Sequence, residues 1–298
     1  MRTLSGGCPM RRLSIAAIAA TSMVAVAQIA AAADLGLPVH KAPPPPLAPV
    51  YNWTGFYAGL NAGVGWSGND VNTTGWPLYA NPTHADSSAQ VAASAASATA
   101  SIPTSSTSFI GGGQVGYNFQ MNTWVVGLEA DIDGLSPSSQ TNTALVGAPI
   151  ATGGFNFSDD SATKTLNYLG TVRGRVGFLV TPALLLYGTG GLAYGDPGLT
   201  TSVFQARAPK RFDDPPSGGA SFSETRFGWT LGAGAEWMFL PNWSVRAEYL
   251  HYDLGNVGND FSISTVSKRR GVSFTTGISS GAQISGDIVR VGVSYHLN

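Results

Sequence analysis

The stretch WTGFYAGLNAGVGW, residues 53–66, decides the fold of this chain. Apolar residues recur in it at every second position, and small or polar residues fill most of the positions between them. Successive side chains of a β-strand point to opposite faces, so this rhythm predicts a strand with one apolar face and one polar face. The apolar face comprises Phe56, Ala58, Leu60, Ala62, Val64 and Trp66.

The same rhythm returns seven more times along the chain. In the fifth segment, Gly188, Gly190 and Gly191 blur the alternation, so the facing of that strand stays open. Eight strands in all predict an all-β fold. The seven further segments lie at about 108–120, 123–133, 165–180, 184–195, 224–239, 243–254 and 285–297.

The connections between these segments alternate in length. Those after the second, fourth and sixth segments have two or three residues, and the others are long. This asymmetry predicts an eight-stranded antiparallel up-and-down transmembrane β-barrel with short periplasmic turns and long extracellular loops. A soluble β-sandwich is the alternative, but it gives no reason for loops sorted by end. The long connections run roughly 67–107, 134–164, 196–223 and 255–284, and their composition is typical of disordered segments.

Aromatic residues mark two levels on the predicted barrel. Such girdles are typical of strands that cross both interfaces of a bilayer. Ordinary core aromatics would explain single positions but not two levels. Near the periplasmic ends lie Trp53, Trp124, Trp243 and Tyr295, and near the other ends lie Trp66, Tyr168, Trp229 and Tyr249.

The first 33 residues have the pattern of a secretory signal. Arg11 and Arg12 precede an apolar run over 13–29, and four alanines at 30–33 end it. An N-terminal membrane anchor is the alternative, although the run is short and rich in alanine. The stretch before Met10 adds nothing to this pattern, so translation starting at Met10 stays open.

Removal of this signal takes Cys8, the only cysteine, and three arginines. Disulfides and thiol catalysis are then excluded, and 13 of the 16 basic residues remain against all 17 acidic ones, a net charge of −4. No basic patch for nucleic acid is implied. Next comes a proline-rich leader at 34–52, either a periplasmic tether or a leader without a partner, and then the barrel domain at 53–298.

Charged residues on the inward faces form the candidate site. Eight strands leave an interior just wide enough for side chains, so buried charges there have to pair. Neighbouring strands offer Glu129 with Arg173 or Arg175, Glu236 with Arg246, and Glu248 with Arg246 or Arg290. We interpret the set as a plug, with a narrow gated channel as the alternative. The set comprises Glu129, Asp131, Glu236, Glu248, Arg173, Arg175, Arg246 and Arg290.

Catalysis and cofactors find little support in the sequence. The four histidines have no metal-ligand spacing, and no GxSxG nucleophile motif is present. His251 with Asp253 is the one candidate acid–base pair. We therefore expect neither enzymatic activity nor a cofactor or metal.

Several of these segments together resemble one known family. They are WTGFYAGLNAGVGW, GGGQVGYNFQ, WVVGLEADIDG, LGTVRGRVGF, LLLYGTGGLAYG, FGWTLGAGAEW, WSVRAEYLHYDLG and VRVGVSYHLN. In this order they are similar to the outer-membrane immunogenic proteins of alphaproteobacteria, which belong to the OmpA-like barrel class. The resemblance covers residues 42–298 apart from the loops.

The resemblance implies a surface-exposed antigen and structural component of the outer membrane of a Gram-negative bacterium. Expected partners are outer-membrane lipids, lipopolysaccharide and the barrel-assembly machinery, with host or surface ligands of the loops left open. The family normally ends in an aromatic residue that this machinery reads, whereas this chain ends in Tyr295, His296, Leu297 and Asn298. Lys268, Arg269 and Arg270 in the last loop are candidate contacts for lipopolysaccharide phosphates, and a solvated charge cluster is the alternative.

Overall fold

The computed structural model describes residues 51–137, 139–209, 212–267 and 271–297. The predicted signal, most of the proline-rich leader and the basic triplet at 268–270 lie outside these residues. The elements are β1 Gly55–Ser67, β2 Val71–Ala80, α1 Ala85–Ser97, β3 Ala100–Ile102, β4 Ser106–Met121, β5 Trp124–Ser136, β6 Ser139–Pro149, β7 Phe155–Thr165, β8 Tyr168–Thr181, β9 Leu184–Gly195, β10 Gly198–Ala208, β11 Ser217–Ser223, β12 Arg226–Leu240, β13 Trp243–Ser267 and β14 Val272–Leu297.

Eight strands close into a ring of hydrogen bonds. Their order is β1-β4-β5-β8-β9-β12-β13-β14, and β1 pairs back onto β14 from Phe56 opposite Leu297 to Trp66 opposite Asp287. All the pairings around the ring are antiparallel. The predicted eight-stranded barrel is confirmed, with most strand ends within a few residues of the sequence estimate.

The alternating apolar and polar residues of the sequence form the outer and inner faces of this ring. On β1, Leu60 is 73% exposed on the outside, while its neighbour Asn61 is buried on the inside. On β9, whose facing the sequence left open, Leu185, Tyr187 and Thr189 point inward. The outer surface is therefore apolar on every strand, as contact with lipid requires.

Trp53 departs from the predicted periplasmic girdle. It is fully buried, and its indole N–H donates to the carbonyl oxygen of Pro182 at 3.0 Å. It precedes β1 rather than belonging to it, so strand alternation does not set its direction. The other periplasmic aromatics, Trp124, Trp243 and Tyr295, are exposed on the outer face.

The long connections are ordered into an external unit, contrary to the disorder that their composition suggested. β6, β7, β10 and β11 from the second and third loops form a separate four-stranded sheet. β2, from the first loop, pairs with β14 outside the ring, and β3 pairs with β2. Helix α1 contacts β2, β14, β7 and β6. The loops therefore satisfy their backbone groups by pairing with one another.

Helix α1 approaches β2 very closely. A Cβ atom added at Gly75 would lie 2.4 Å from the carbonyl oxygen of Ala95, so only glycine fits at this crossing. Ser94, Ala95 and Ser97 of the helix are buried. Small side chains on both elements thus permit the helix to lie inside the external unit. No helix among the described residues is both long and apolar enough to cross a membrane.

β13 and β14 continue far beyond the predicted strand ends. Their ladder shifts register between Asp253 and Asn256, where Gly255 has a φ of +79°, and then runs on to Ser267 opposite Val272. A φ in this left-handed range favours glycine. The bulge therefore marks where the last two barrel strands pass into the external unit.

Candidate functional site

The inward side chains of five barrel strands meet in one buried charged cluster, which we call the lumen network. β5 contributes Glu129, Asp131 and Asp133, and each of these carboxylates is at most 5% exposed. Asp133 joins the eight residues expected from the sequence, so five carboxylates face four guanidinium groups. The other members are Arg173 and Arg175 on β8, Glu236 on β12, Arg246 and Glu248 on β13, and Arg290 on β14.

Arg173 contacts three carboxylates. Its Nη2 lies 2.5 Å from Oε1 of Glu129 and 2.7 Å from Oδ2 of Asp131, and its Nη1 lies 3.0 Å from Oε1 of Glu248. Its Nε also donates to the hydroxyl of Thr171 at 2.9 Å. Several partners in good geometry are what make a buried guanidinium tolerable.

Arg290 contacts a second, overlapping set. Its Nη1 lies 2.6 Å from Oδ2 of Asp133, and its Nη2 lies 2.8 Å from Oδ2 of Asp131. Its Nε donates to Oε2 of Glu248 at 2.9 Å. Arg173 and Arg290 therefore share Asp131 and Glu248, which joins β5, β8, β13 and β14 across the lumen.

Arg175 forms the link to β12. Its Nη2 donates to Oε2 of Glu236 at 2.7 Å, and its guanidinium carbon lies 4.1 Å from the centre of the Tyr187 ring. A cation over an aromatic face gains electrostatic attraction from the ring. The hydroxyl of Tyr187 in turn donates to Oε1 of Glu248 at 3.1 Å.

Tyr57 is a member of the network that the sequence did not reveal. Its hydroxyl donates to Oε2 of Glu129 at 2.5 Å and accepts from Nη1 of Arg175 at 3.1 Å. Glu129 also accepts a hydrogen bond from Nη1 of Arg246. The Tyr57 ring lies against Gly116, where an added Cβ would be 2.4 Å from the ring. An inward tyrosine opposite a glycine was the signal available in the sequence.

His296 connects the network to the periplasmic end of the barrel. Its Nε2 lies 3.0 Å from the hydroxyl of Ser244 and 3.3 Å from Oε1 of Glu236. Its ring meets the Trp53 ring edge-on, with the centroids 5.8 Å apart. His296, which precedes Leu297, is thus fully buried between the lumen network and Trp53.

Apolar clusters lie at both ends of the lumen network. The external cluster includes Ile110, Leu169, Leu250 and Ile288 and continues into the external unit through Leu199. Uncharged layers therefore cover the charged layer from both sides. The periplasmic cluster consists of Trp53, Val125, Leu179, Leu185, Tyr187 and Met238, with Tyr51 packed against it.

The pairing differs from the neighbour-strand expectation in one respect. Glu129 with Arg173 and Glu248 with Arg290 face each other in the register and form ion pairs. Glu236 and Arg246 also face each other, but they take partners on other strands, Arg175 and Glu129 respectively. Because the lumen is narrow, a long arginine side chain reaches strands that are not its neighbours. The expectation that ion pairs form only between neighbouring strands is therefore wrong for these two residues.

The remaining sequence candidates stand apart from the lumen network. Lys268, Arg269 and Arg270 lie outside the described residues. His251 pairs with Asp287 rather than Asp253, with 2.9 Å between Nδ1 and Oδ1, because the register sets His251 opposite Asp287. Among the described residues, no group of three or more His, Cys, Asp or Glu side chains is arranged to hold a metal ion.

A closed ring of eight antiparallel strands, apolar outside and filled with paired charges inside, defines an outer-membrane β-barrel protein. Comparison with known proteins agrees with this class. The family model described as outer membrane protein beta-barrel domain matches residues 16–296, and the chain belongs to this family. Its place is the outer membrane of the Gram-negative cell.

Named relatives confirm the resemblance to outer-membrane immunogenic proteins of alphaproteobacteria. The 31 kDa outer-membrane immunogenic protein of Brucella melitensis is 34% identical over 85% of this chain and 92% of its own length. The 22 kDa outer membrane protein of Rhizobium leguminosarum is 33% identical over 54% of this chain and 59% of its own length. The outer membrane protein OprG of Pseudomonas aeruginosa aligns over 84% of this chain and 100% of its own, with 12% identity and a TM-score of 0.35.

Proposed function

We propose that this protein is a structural, surface-exposed barrel whose lumen is closed to solutes, and that it acts as an envelope component and antigen without catalysis. The observation that carries the proposal is the layered lumen, in which apolar clusters lie on both sides of the ion-paired network. An ion crossing it would have to displace buried apolar contacts at both ends. It would also break charge pairs whose members are costly to leave alone.

The competing function is a narrow channel for ions or small solutes. Conductance of the refolded protein in a planar lipid bilayer separates the two. We expect no stable openings of porin size from the native chain. A Trp53→Ala, Met238→Ala double variant thins only the periplasmic layer and should remain silent, because the charged network and the external cluster are intact. Stable porin-size openings of the native protein would contradict a structural role.

Exposure at the cell surface supplies a second test. The external unit is built from the four long connections, so protease treatment of intact cells should cut there and leave the short turns uncut. The turn at Thr181, Pro182 and Ala183 is the matched periplasmic reference, since Trp53 contacts it from the lumen side. Cuts confined to the short turns would invert the proposed orientation.

The proposed partners are outer-membrane lipids, lipopolysaccharide and the barrel-assembly machinery. Outward side chains such as Leu60 and Leu128 supply the apolar contact with lipid. For lipopolysaccharide, replacing Lys268, Arg269 and Arg270 with alanine should weaken binding of the purified molecule to the reconstituted barrel. Replacing Arg226 alone with alanine is the control. Unchanged binding by the triple variant would remove the triplet from the proposal.

A further inference from the structure

A narrow cleft lies at the external mouth of the barrel, above the lumen network. Apolar side chains of Tyr252, Ile284 and Ile288 form one part of it, and all three belong to the external apolar cluster. The cavity volume of the cleft is about 50 Å³. The rest of the lining includes Lys164, Leu135, Leu166, Ser67, Ser106 and Ser108.

Lys164 is the one charged residue among the described residues that line this cleft. It lies near the end of β7, and its Nζ donates to the backbone oxygen of Asn69 at 3.0 Å. An ammonium group has three N–H donors, so this contact leaves capacity for a ligand. Burial lowers the pKa of Lys164, and the carboxylate of Asp70 opposes that shift.

The rest of the lining separates into polar and apolar parts. Ser67 and Ser106 share a hydrogen bond of 3.0 Å, and Ser108 donates to the carbonyl oxygen of Pro137 at 2.8 Å. These hydroxyls are already engaged with protein atoms. Leu135 and Leu166 pack against the external apolar cluster and extend its surface into the cleft. A ligand would therefore meet one available cation and a long apolar wall.

We infer that this cleft binds an amphipathic monocarboxylate, a small molecule with one carboxylate and an unbranched apolar tail. The carboxylate would accept hydrogen bonds from Nζ of Lys164, and the tail would lie along Leu166, Ile284 and Ile288. A single ammonium matches one negative charge, and the nearby Asp70 disfavours a ligand of higher charge. A narrow apolar cleft with one convergent charged group is a common form of small-ligand site. The inference does not depend on whether the lumen conducts.

Octanoate is a suitable probe because it is soluble and carries both features. Binding is measured by calorimetry to the full protein in phosphatidylcholine nanodiscs, with empty nanodiscs subtracted and 1-octanol as the uncharged ligand with the same tail. We expect saturable octanoate binding at least about tenfold tighter than octanol, as a charge-assisted hydrogen bond gives. No octanoate binding above empty nanodiscs, or equal binding of both ligands, would overturn the inference.

Variants assign the site. Lys164→Met should weaken octanoate binding about tenfold and leave octanol unchanged, Lys164→Arg should retain most of the affinity, and Leu166→Trp should fill the cleft and weaken both ligands. Arg226→Met removes a cation outside the cleft and should change neither. Octanoate binding unaffected by both Lys164→Met and Leu166→Trp would place the ligand elsewhere. If Lys164→Met does not fold, the native comparison of the two ligands and the Leu166→Trp variant still decide the inference.

Discussion

Leu60 on β1 and Leu145 on β6 are exposed to nearly the same extent, 73% and 75%, but they face different solvents. Leu60 belongs to an apolar surface repeated on every barrel strand, whereas Leu145 stands between Thr143 and Gly147 on the face of the external sheet. The interiors differ as well. The barrel buries a network of paired charges. The external unit buries mostly uncharged polar groups, such as Ser94, whose hydroxyl donates to Oε1 of Gln205 at 2.6 Å, together with the carboxyl group of Asp160. The same exposed fraction therefore indicates contact with lipid in the barrel and contact with water in the external unit.

The largest expected effect comes from breaking the charged interior. Arg290→Met removes the arginine partner of Asp133 and one of the two arginine partners of Asp131 and of Glu248, and it keeps a side chain of similar length. Loss of one member of a buried ion pair costs about 3–5 kcal/mol, so we expect a loss of that size in urea unfolding of the refolded barrel. Arg226→Met, at the start of β12, removes a contact between the guanidinium and the Phe222 ring and should cost less than about 1 kcal/mol. Equal losses of unfolding free energy for the two variants would show that the ion pairs of the lumen do not stabilise the fold more than an arginine outside the lumen does.

The two leucines test the difference in solvent directly. Leu60→Arg places a charge on the lipid face midway along β1 and should cost about 2–4 kcal/mol in lipid vesicles. Leu145→Arg should stay within about 0.5 kcal/mol, because water already surrounds that site. Both are read from unfolding titrations in the same vesicles. A penalty of similar size at Leu145 would mean that its face is covered in the intact protein.

The close crossing of helix α1 and β2 sharpens the comparison from the external side. Gly75→Val should destabilise the external unit by about 1–3 kcal/mol, since overpacking at a tight contact displaces the helix. Hydrogen exchange of the α1 amides should accelerate while the barrel amides keep their protection. Gly68→Val is the matched control, because no atom lies within 4 Å of a Cβ built there. Faster exchange in the barrel as well would mean that the two regions unfold together.

The smallest predicted effect is a pH dependence confined to the external unit. Asp160 on β7 is fully buried, and its Oδ1 accepts from the hydroxyl of Ser158 at 2.5 Å. Burial raises the pKa of Asp160 to about 6, the neighbouring Asp159 carboxylate adds to the rise, and the Ser158 hydrogen bond opposes it. A folded-state pKa above the unfolded value of 3.8 means that stability is highest in acid and falls as the pH rises from about 4 to about 6.

Exchange or proteolysis of the external unit at pH 4.5 and pH 7.5 measures this dependence. Between these two pH values the loss should be roughly 1 kcal/mol after solvent screening is allowed for. Asp160→Asn should abolish most of it, whereas Asp159→Asn should retain most of it. A native protein that is more stable at pH 7.5 would contradict the assignment.

The sequence foretold the barrel because contact with lipid imposes an outward apolar residue at every second position. The same rule placed Arg173 and Arg290 inside. It also named a partner on a neighbouring strand for each of these two arginines, Glu129 for Arg173 and Glu248 for Arg290. It did not identify the pairs of Arg175 with Glu236 and of Arg246 with Glu129, because these depend on how far each side chain reaches across the axis. The rule does not apply to Trp53, because this residue precedes β1 and strand alternation does not set the direction of its side chain.

The sequence did not predict the external unit, and the reason differs from that for the ion pairs. Its strands lie between water and polar layers, so the inward and outward residues of segments such as 158–165 do not differ in hydropathy. Helix α1 is formed largely of alanine and serine, whose small size matters through its contacts with Gly75 of β2 and with β14, β7 and β6. The order of these loops arises from contacts distant in sequence, which no local pattern contains.

β14 closes the ring by pairing with both β13 and β1. Arg290 and His296 both lie on this final strand, and until it docks, Asp131, Asp133 and Glu236 lack a neighbour that they have in the finished ring. A seven-stranded precursor would hold five carboxylates against three arginines in the space that becomes the lumen. Docking of β14 therefore lowers the excess of carboxylates over guanidinium groups in the lumen from two to one, so a ring that lacks β14 carries the larger electrostatic penalty.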